Sequence, residues 1–132
     1  MYAMPGVGLA APQLGIGLRL AVVDCSPSKD QPIRLANPRI VWASDEMRSY
    51  EEASPNLPGA SAAIERPAEV RVGWIDENGN PQEKDFDGLW ATCVQHEIDH
   101  LDGKLFIDYL KPLKRQMITR KMVKLKKERA RA

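Results

Sequence analysis

The pentad His96-Glu97-Ile98-Asp99-His100 constrains this chain more than any other stretch, because its side chains can act together only on a helix. On a helix the two histidines, four residues apart, share one face and reach a single ion, with Glu97 beside it. That is a metallohydrolase layout. A divalent metal held by imidazoles can bring the pKa of a bound water from near 15.7 to roughly 7, and a neighbouring carboxylate can move the proton to a leaving group. These are also the only two histidines in the chain. A surface helix that happens to carry two histidines gives the same string, but ordinary residue usage produces it in on the order of one chain of this length in a few hundred.

Asp87 is placed to cap a helix from about Gly88 to His100, with Leu89, Cys93, His96 and His100 on or near one face and Gly103 positioned to help end it. Ahead of that helix the chain reads as short strands. Leu18 to Val23 is an apolar run suited to a buried strand, while Ile33 to Ala36 and Arg39 to Trp42 lie either side of an Asn37-Pro38 break. Val70, Val72 and Trp74 alternate with Arg71 and Gly73; Asp76-Glu77-Asn78-Gly79-Asn80 then signals a hairpin before a polar strand from Gln82 to Phe86. With 132 residues, 43% of them apolar, the chain can form one compact domain with a modest core, and no repeat or linker suggests a second. Cys25 and Cys93 are too few for a disulfide framework, and no apolar run approaches the ~20 residues of a membrane span. No secretory signal opens the chain, so a cytoplasmic location is expected, or an organelle matrix if a leader has been lost.

A net charge of +1 conceals an asymmetry: residues 111 to 132 hold ten Lys or Arg against one Glu, a net +9, which leaves −8 for residues 1 to 110. From Pro112, a favourable first-turn residue, Leu113, Met117, Ile118, Met122 and Leu125 recur at helical steps with basic residues between them. A basic amphipathic helix follows. It serves equally as a solvated face behind a docked apolar stripe or as a site for an anionic partner such as ribosomal RNA.

A second signal is Gly6-Val7-Gly8-Leu9-Ala10-Ala11-Pro12-Gln13, whose glycines let backbone approach a ligand closely. It lacks the Gly-Lys-Ser/Thr ending of a phosphate loop, and a plain turn into the following strand is the alternative. Taken with Tyr50-Glu51-Glu52-Ala53-Ser54-Pro55-Asn56-Leu57-Pro58-Gly59, Glu65-Arg66-Pro67 and Gln95 to Gly103, this loop resembles peptide deformylase, with four motifs in the family's order and spacing. The resemblance implies an α+β fold, with antiparallel sheets around a central helix carrying the two histidines and a basic C-terminal helix beyond. It implies removal of the formyl group from the initiator methionine of nascent peptides, with a divalent metal, most often iron(II), with zinc or nickel as alternatives. Carried over by position, His96 and His100 bind the metal, Glu97 is the general acid/base and the Gln13 amide helps hold the formyl oxygen. Gly8 runs beside the substrate backbone. Leu89 and Cys93 line the pocket for the methionine side chain, a role that core packing explains equally well.

The chain also departs from the family. Where the family reads Glu-Gly-Cys-Leu-Ser, with the cysteine thiolate as third metal ligand, Glu52-Ala53-Ser54-Pro55-Asn56 stands here. Ser54 offers a neutral hydroxyl, which coordinates a divalent ion weakly. Pro55 removes a backbone N–H that the family aims at the oxyanion, and loss of one such donor lowers kcat by about 10² to 10³. Replacement ligands would be Cys93, or Glu51 or Glu52 if the loop moved. The glycine-rich loop starts at Gly6, so part of the family's usual N-terminal wall is expected to be missing, and a homodimer could cover the apolar surface left. Three readings are open: a slow deformylase, a non-catalytic relative that binds peptide N-termini or the ribosome, and a zinc peptidase known only by its two histidines and glutamate.

Overall fold

The computed structural model describes residues 1–3 and 6–131. Seven strands come first: β1 (Gly8–Ala10), β2 (Leu20–Val23), β3 (Ile33–Ala43), β4 (Met47–Ala53), β5 (Ser61–Pro67), β6 (Val70–Ile75) and β7 (Pro81–Phe86). Helices α1 (Gly88–Leu101) and α2 (Pro112–Arg131) follow, with 3-10 turns at Ala11–Leu14 and Phe106–Tyr109. Strands β1-β2-β3-β6-β7 form one antiparallel sheet in that order, and β4 pairs with β5 in a second.

Helix α1 lies between the sheets. The inward residues of the larger sheet, including Val23, Leu35, Val70, Val72 and Trp74, pack with Ala91, Val94 and Ile98 of α1 in the main core. On the far side α1 meets β5. Every residue from Ala91 to Ile98 is buried, as is His100, so polar side chains on this helix must find partners inside the protein. The helix ends as the sequence implies: Gly103 takes φ 79°, a left-handed conformation that glycine adopts freely, and its N–H bonds to His100 O at 3.1 Å. Asp87 stands at the N-cap position, but its side chain makes no capping bond.

Three expectations need correction. The expected break at Asn37-Pro38 is a bulge within one continuous strand: Asn37 takes φ 48° and donates its N–H to Arg19 O at 2.8 Å, and the register with β6 shifts between Ala36 and Arg39. Asparagine tolerates this conformation, and a bulge accommodates a proline that cannot join the ladder. The second strand starts at Leu20 rather than Leu18, which is 57% exposed. The apolar stripe of α2 is split. Ile118 and Met122 pack on a second core of Ala60, Ala62, Ile64, Phe106 and Ile107, whereas Leu113 and Met117 are 71% and 62% exposed. Among the described residues no helix is long and apolar enough to cross a membrane.

Candidate metal centre

The site begins with two imidazoles on one turn of helix. His96 and His100, one turn apart on α1, place their Nε2 atoms 2.9 Å from each other. Glu52 on β4 reaches His96 Nδ1 at 2.7 Å, so it accepts the Nδ1–H and leaves Nε2 turned toward His100, the nitrogen that would face a metal. Burial, then the neighbouring His96, pushes the His100 pKa down to about 4, which keeps that ring neutral at pH 7, as a metal ligand must be.

Glu52 itself is held by a buried guanidinium. Arg66 on β5 donates from Nε to Glu52 Oε2 at 2.7 Å and from Nη2 to Oε1 at 2.9 Å. Its third arm, Nη1, reaches Asp99 Oδ2 at 2.7 Å, and Asp99 also accepts the Tyr109 hydroxyl at 2.6 Å. The Tyr109 ring lies 4.8 Å from the guanidinium carbon. Burial raises the Glu52 pKa, but the His96 and Arg66 hydrogen bonds and charges outweigh it and hold the carboxyl below its ordinary range. Glu52 is therefore committed to orienting His96 and is not a spare metal ligand, which corrects that expectation.

Glu97 is 2% exposed, and among the described residues its Oε2 has no hydrogen-bond partner. Its Oε1 lies 3.9 Å from His96 Nε2. Burial, then the Glu52 charge, raises its pKa to about 8. One ligand atom from each of His96, Glu97 and His100 falls within 4.8 Å of the others. Converging imidazole lone pairs beside an unpartnered buried carboxylate oxygen fit a divalent cation with a bound water.

Gly8, Gln13, Ser54, Leu89, Cys93, His96 and Glu97 all line one cavity of about 560 Å³, and His100 is not among its lining residues. Gly8 is there because nothing larger fits: a Cβ would sit 2.8 Å from Cys93 Sγ and 2.9 Å from Glu97 Cγ. Gln13 is anchored through Oε1 by the Ala10 N–H at 2.8 Å, which directs its Nε2 to Ser54 Oγ at 3.1 Å and Asn56 Oδ1 at 3.0 Å. Both Gln13 amide hydrogens are thus engaged by residues from the Ser54-Pro55-Asn56 stretch. Leu89 is 42% exposed at the rim, and Cys93 is buried with Sγ 3.2 Å from Val7 O.

Sequence reasoning missed Arg66, Asp99 and Tyr109 as supports of the site, and Asn56 as a partner of Gln13. A signal for Arg66 existed. Ala62, Ile64 and Arg66 recur at two-residue steps on β5, which puts an arginine on the buried face, where it requires acids around it.

Comparison with known proteins agrees with this geometry. The polypeptide deformylase family model matches residues 1–116. "Peptide deformylase 2" of Xanthomonas campestris is 48% identical over 127 residues, which is 96% of this chain and 74% of that protein. A peptide deformylase of Rhodopseudomonas palustris is 50% identical over 131 residues, covering 96% of this chain and 75% of that one. The crystal structure of a peptide deformylase from Legionella pneumophila superposes with a TM-score of 0.90 at 46% identity, over 100% of this chain and 78% of that one. The Synechococcus elongatus enzyme solved in complex with actinonin gives a TM-score of 0.86 at 40% identity, over 92% and 68% of the two chains. With sequence, fold and motif order in agreement over nearly the whole length, this chain belongs to the peptide deformylase family.

Proposed function

We propose that this chain removes the N-formyl group from the initiator methionine of nascent peptides, at a rate reduced by Ser54 and Pro55. The observation that carries this reading is Glu97: a carboxyl 2% exposed, unpartnered at Oε2, beside two imidazoles whose Nε2 atoms converge. His96 and His100 would hold a divalent metal, with iron(II) favoured and zinc or nickel as alternatives. When bound, that ion supplies Lewis acidity, which acidifies a water and polarises the formyl carbonyl.

The remaining steps belong to the chain. Glu97 takes the proton from the attacking water and delivers it to the departing amine; burial and the Glu52 charge raise its pKa in the ion-free site, favouring the protonated form that the second transfer needs, and an adjacent cation would restore the carboxylate that the first needs. Gln13 exchanges its hydrogen bond to Ser54 Oγ for one to the formyl oxygen, while its bond to Asn56 keeps the amide turned toward the site. Gly8 leaves room for the peptide backbone along β1, and Leu89 and Cys93 border the space for the methionine side chain.

A second reading, a relative that binds peptide N-termini without hydrolysing them, is favoured by one feature. Ser54 accepts a hydrogen bond from Gln13 in place of a thiolate, and Pro55 has no N–H to donate. Metal content and formyl-Met-Ala-Ser hydrolysis, measured on the same anaerobically purified sample, separate the two. Bound metal with turnover abolished by Glu97→Gln supports the enzyme; absence of both, even after iron(II) or nickel(II) is supplied, supports the binder.

Helix α2, with its exposed Leu113 and Met117 among basic side chains, is proposed to dock on ribosomal RNA. That binding should weaken steeply with salt, and salt-insensitive binding would exclude an electrostatic role. Exposed Leu14, Leu18 and Leu20 are the surface through which a homodimer is proposed to form.

A further inference from the structure

We propose that Cys25 and Cys93 form an oxidisable dithiol at the wall of the substrate cavity, where a hydroperoxide closes a disulfide within one chain. These are the only two cysteines in the sequence, and the fold sets Cys25 against the core cluster to which Cys93 belongs, 68 positions further along the chain. Cys25 lies two residues beyond β2, whose Ala21 and Val23 point into the core. Cys25 packs there against the cluster that contains Cys93. One carbonyl oxygen lies between the two segments: Val7 O accepts from Cys93 Sγ at 3.2 Å and from the N–H of Asp24, the residue before Cys25, at 2.7 Å. Asp24 is fixed in turn by the Ser26 N–H at 2.9 Å and the Gln31 N–H at 3.2 Å.

The environments of the two sulfurs differ in the way the chemistry requires. Cys25 is half-buried and Cys93 is buried, so Cys25 is the sulfur that a peroxide reaches first. Cys25 is thus the attacking thiolate and Cys93 the resolving thiol. The Cys25 sulfur displaces hydroxide from the peroxide O–O bond, giving a sulfenic acid, and the hydroxide takes up a proton to leave as water. The Cys93 sulfur then attacks the Cys25 sulfur, loses its proton, and a second water departs. In sum, two thiols and one hydrogen peroxide become one disulfide and two waters. Cys93 lines the cavity beside Gly8, so the bond redraws that wall and removes the S–H that faces Val7 O. None of this depends on deformylase activity.

The test uses the full chain, reduced, freed of metal with a chelator and treated with hydrogen peroxide. The expected product is a monomer lighter by about two mass units, with no titratable thiol, a mapped peptide joining residues 25 and 93, and full reversal by dithiothreitol. Cys25→Ser should block the bond and leave Cys93 slow to oxidise, and Cys93→Ser should trap the Cys25 sulfenic acid for a dimedone probe. Two thiols that persist, independent sulfinic acids at each position, or only intermolecular cross-links would overturn the proposal. Because the mapped product is read on the unsubstituted chain, a variant that fails to fold does not obscure the outcome.

Discussion

Replacing Arg66 by methionine removes the guanidinium while keeping much of the packing volume. Arg66 and Glu52 are 4% and 5% exposed, and three charge-assisted hydrogen bonds of 2.7 to 2.9 Å disappear together. Glu52 is left as a buried carboxylate with His96 Nδ1–H as its remaining partner. Breaking a buried ion pair from one side costs about 3 to 5 kcal/mol, a large share of the roughly 5 to 15 kcal/mol that stabilises a small domain. The sign of the pH dependence follows. Without Arg66 the folded-state pKa of Glu52 rises above its unfolded value, so the penalty is full at neutral pH. It shrinks as pH falls through that raised pKa, and the remainder is lost only as pH falls through the wild-type folded pKa of Glu52, which lies below the ordinary carboxyl range. Urea unfolding of wild type and Arg66→Met at pH 7 and pH 5 measures both effects. A loss below about 1 kcal/mol at pH 7, or one equal at the two pH values, would refute the reasoning.

Ser54→Cys should raise metal affinity, read by titration with cobalt(II), and Pro55→Leu added to it should raise turnover of a formyl-Met peptide further; no gain from either would refute the account of these two departures. Gly8→Ala puts a methyl 2.8 Å from Cys93 Sγ and 2.9 Å from Glu97 Cγ, so we expect a loss of about 1 to 3 kcal/mol in thermal or urea unfolding together with weaker turnover. Burial raises the Asp24 carboxyl, but hydrogen bonds from Ser26, Tyr2 and Gln31 outweigh it and bring its pKa down to about 2 from 3.8. Its contribution to stability is therefore complete above pH 3.8 and lost as pH falls through about 2, a loss that Asp24→Asn should abolish; parallel pH–stability curves for the two proteins would contradict this.

Much of the fold was legible because its signals are local. The alternation of Val70, Val72 and Trp74, the Asp76 to Asn80 turn and the stop at Gly103 each depend on a few neighbouring residues, and the structure places β6, the hairpin and the end of α1 accordingly. Strands β4 and β5 went unseen. Arg48, Ser49, Glu51 and Glu52 carry no apolar alternation, and the inward face of β5 is built from Ala62, Ile64 and Arg66 rather than from branched or aromatic residues. The Asn37-Pro38 pair was read as a break because local preference says so, yet pairing on both sides carries the strand through it as a bulge.

By itself the sequence determined that His96, Glu97 and His100 share a helix turn, that the chain carries four deformylase motifs in order, and that its basic charge gathers after residue 110. Only the tertiary structure decided that Glu52 serves His96 instead of a metal, that Arg66, Asp99 and Tyr109 stand behind it, and that Gln13 is held by Ser54 and Asn56. It also decided that Cys25 packs against the core cluster that contains Cys93 and that only part of the α2 stripe docks. Spacing along a helix is set by local geometry, and so can be read from order alone. A buried carboxylate or guanidinium must instead be paired by whatever groups the folded chain brings to it, and those lie on other elements at separations that no local pattern encodes.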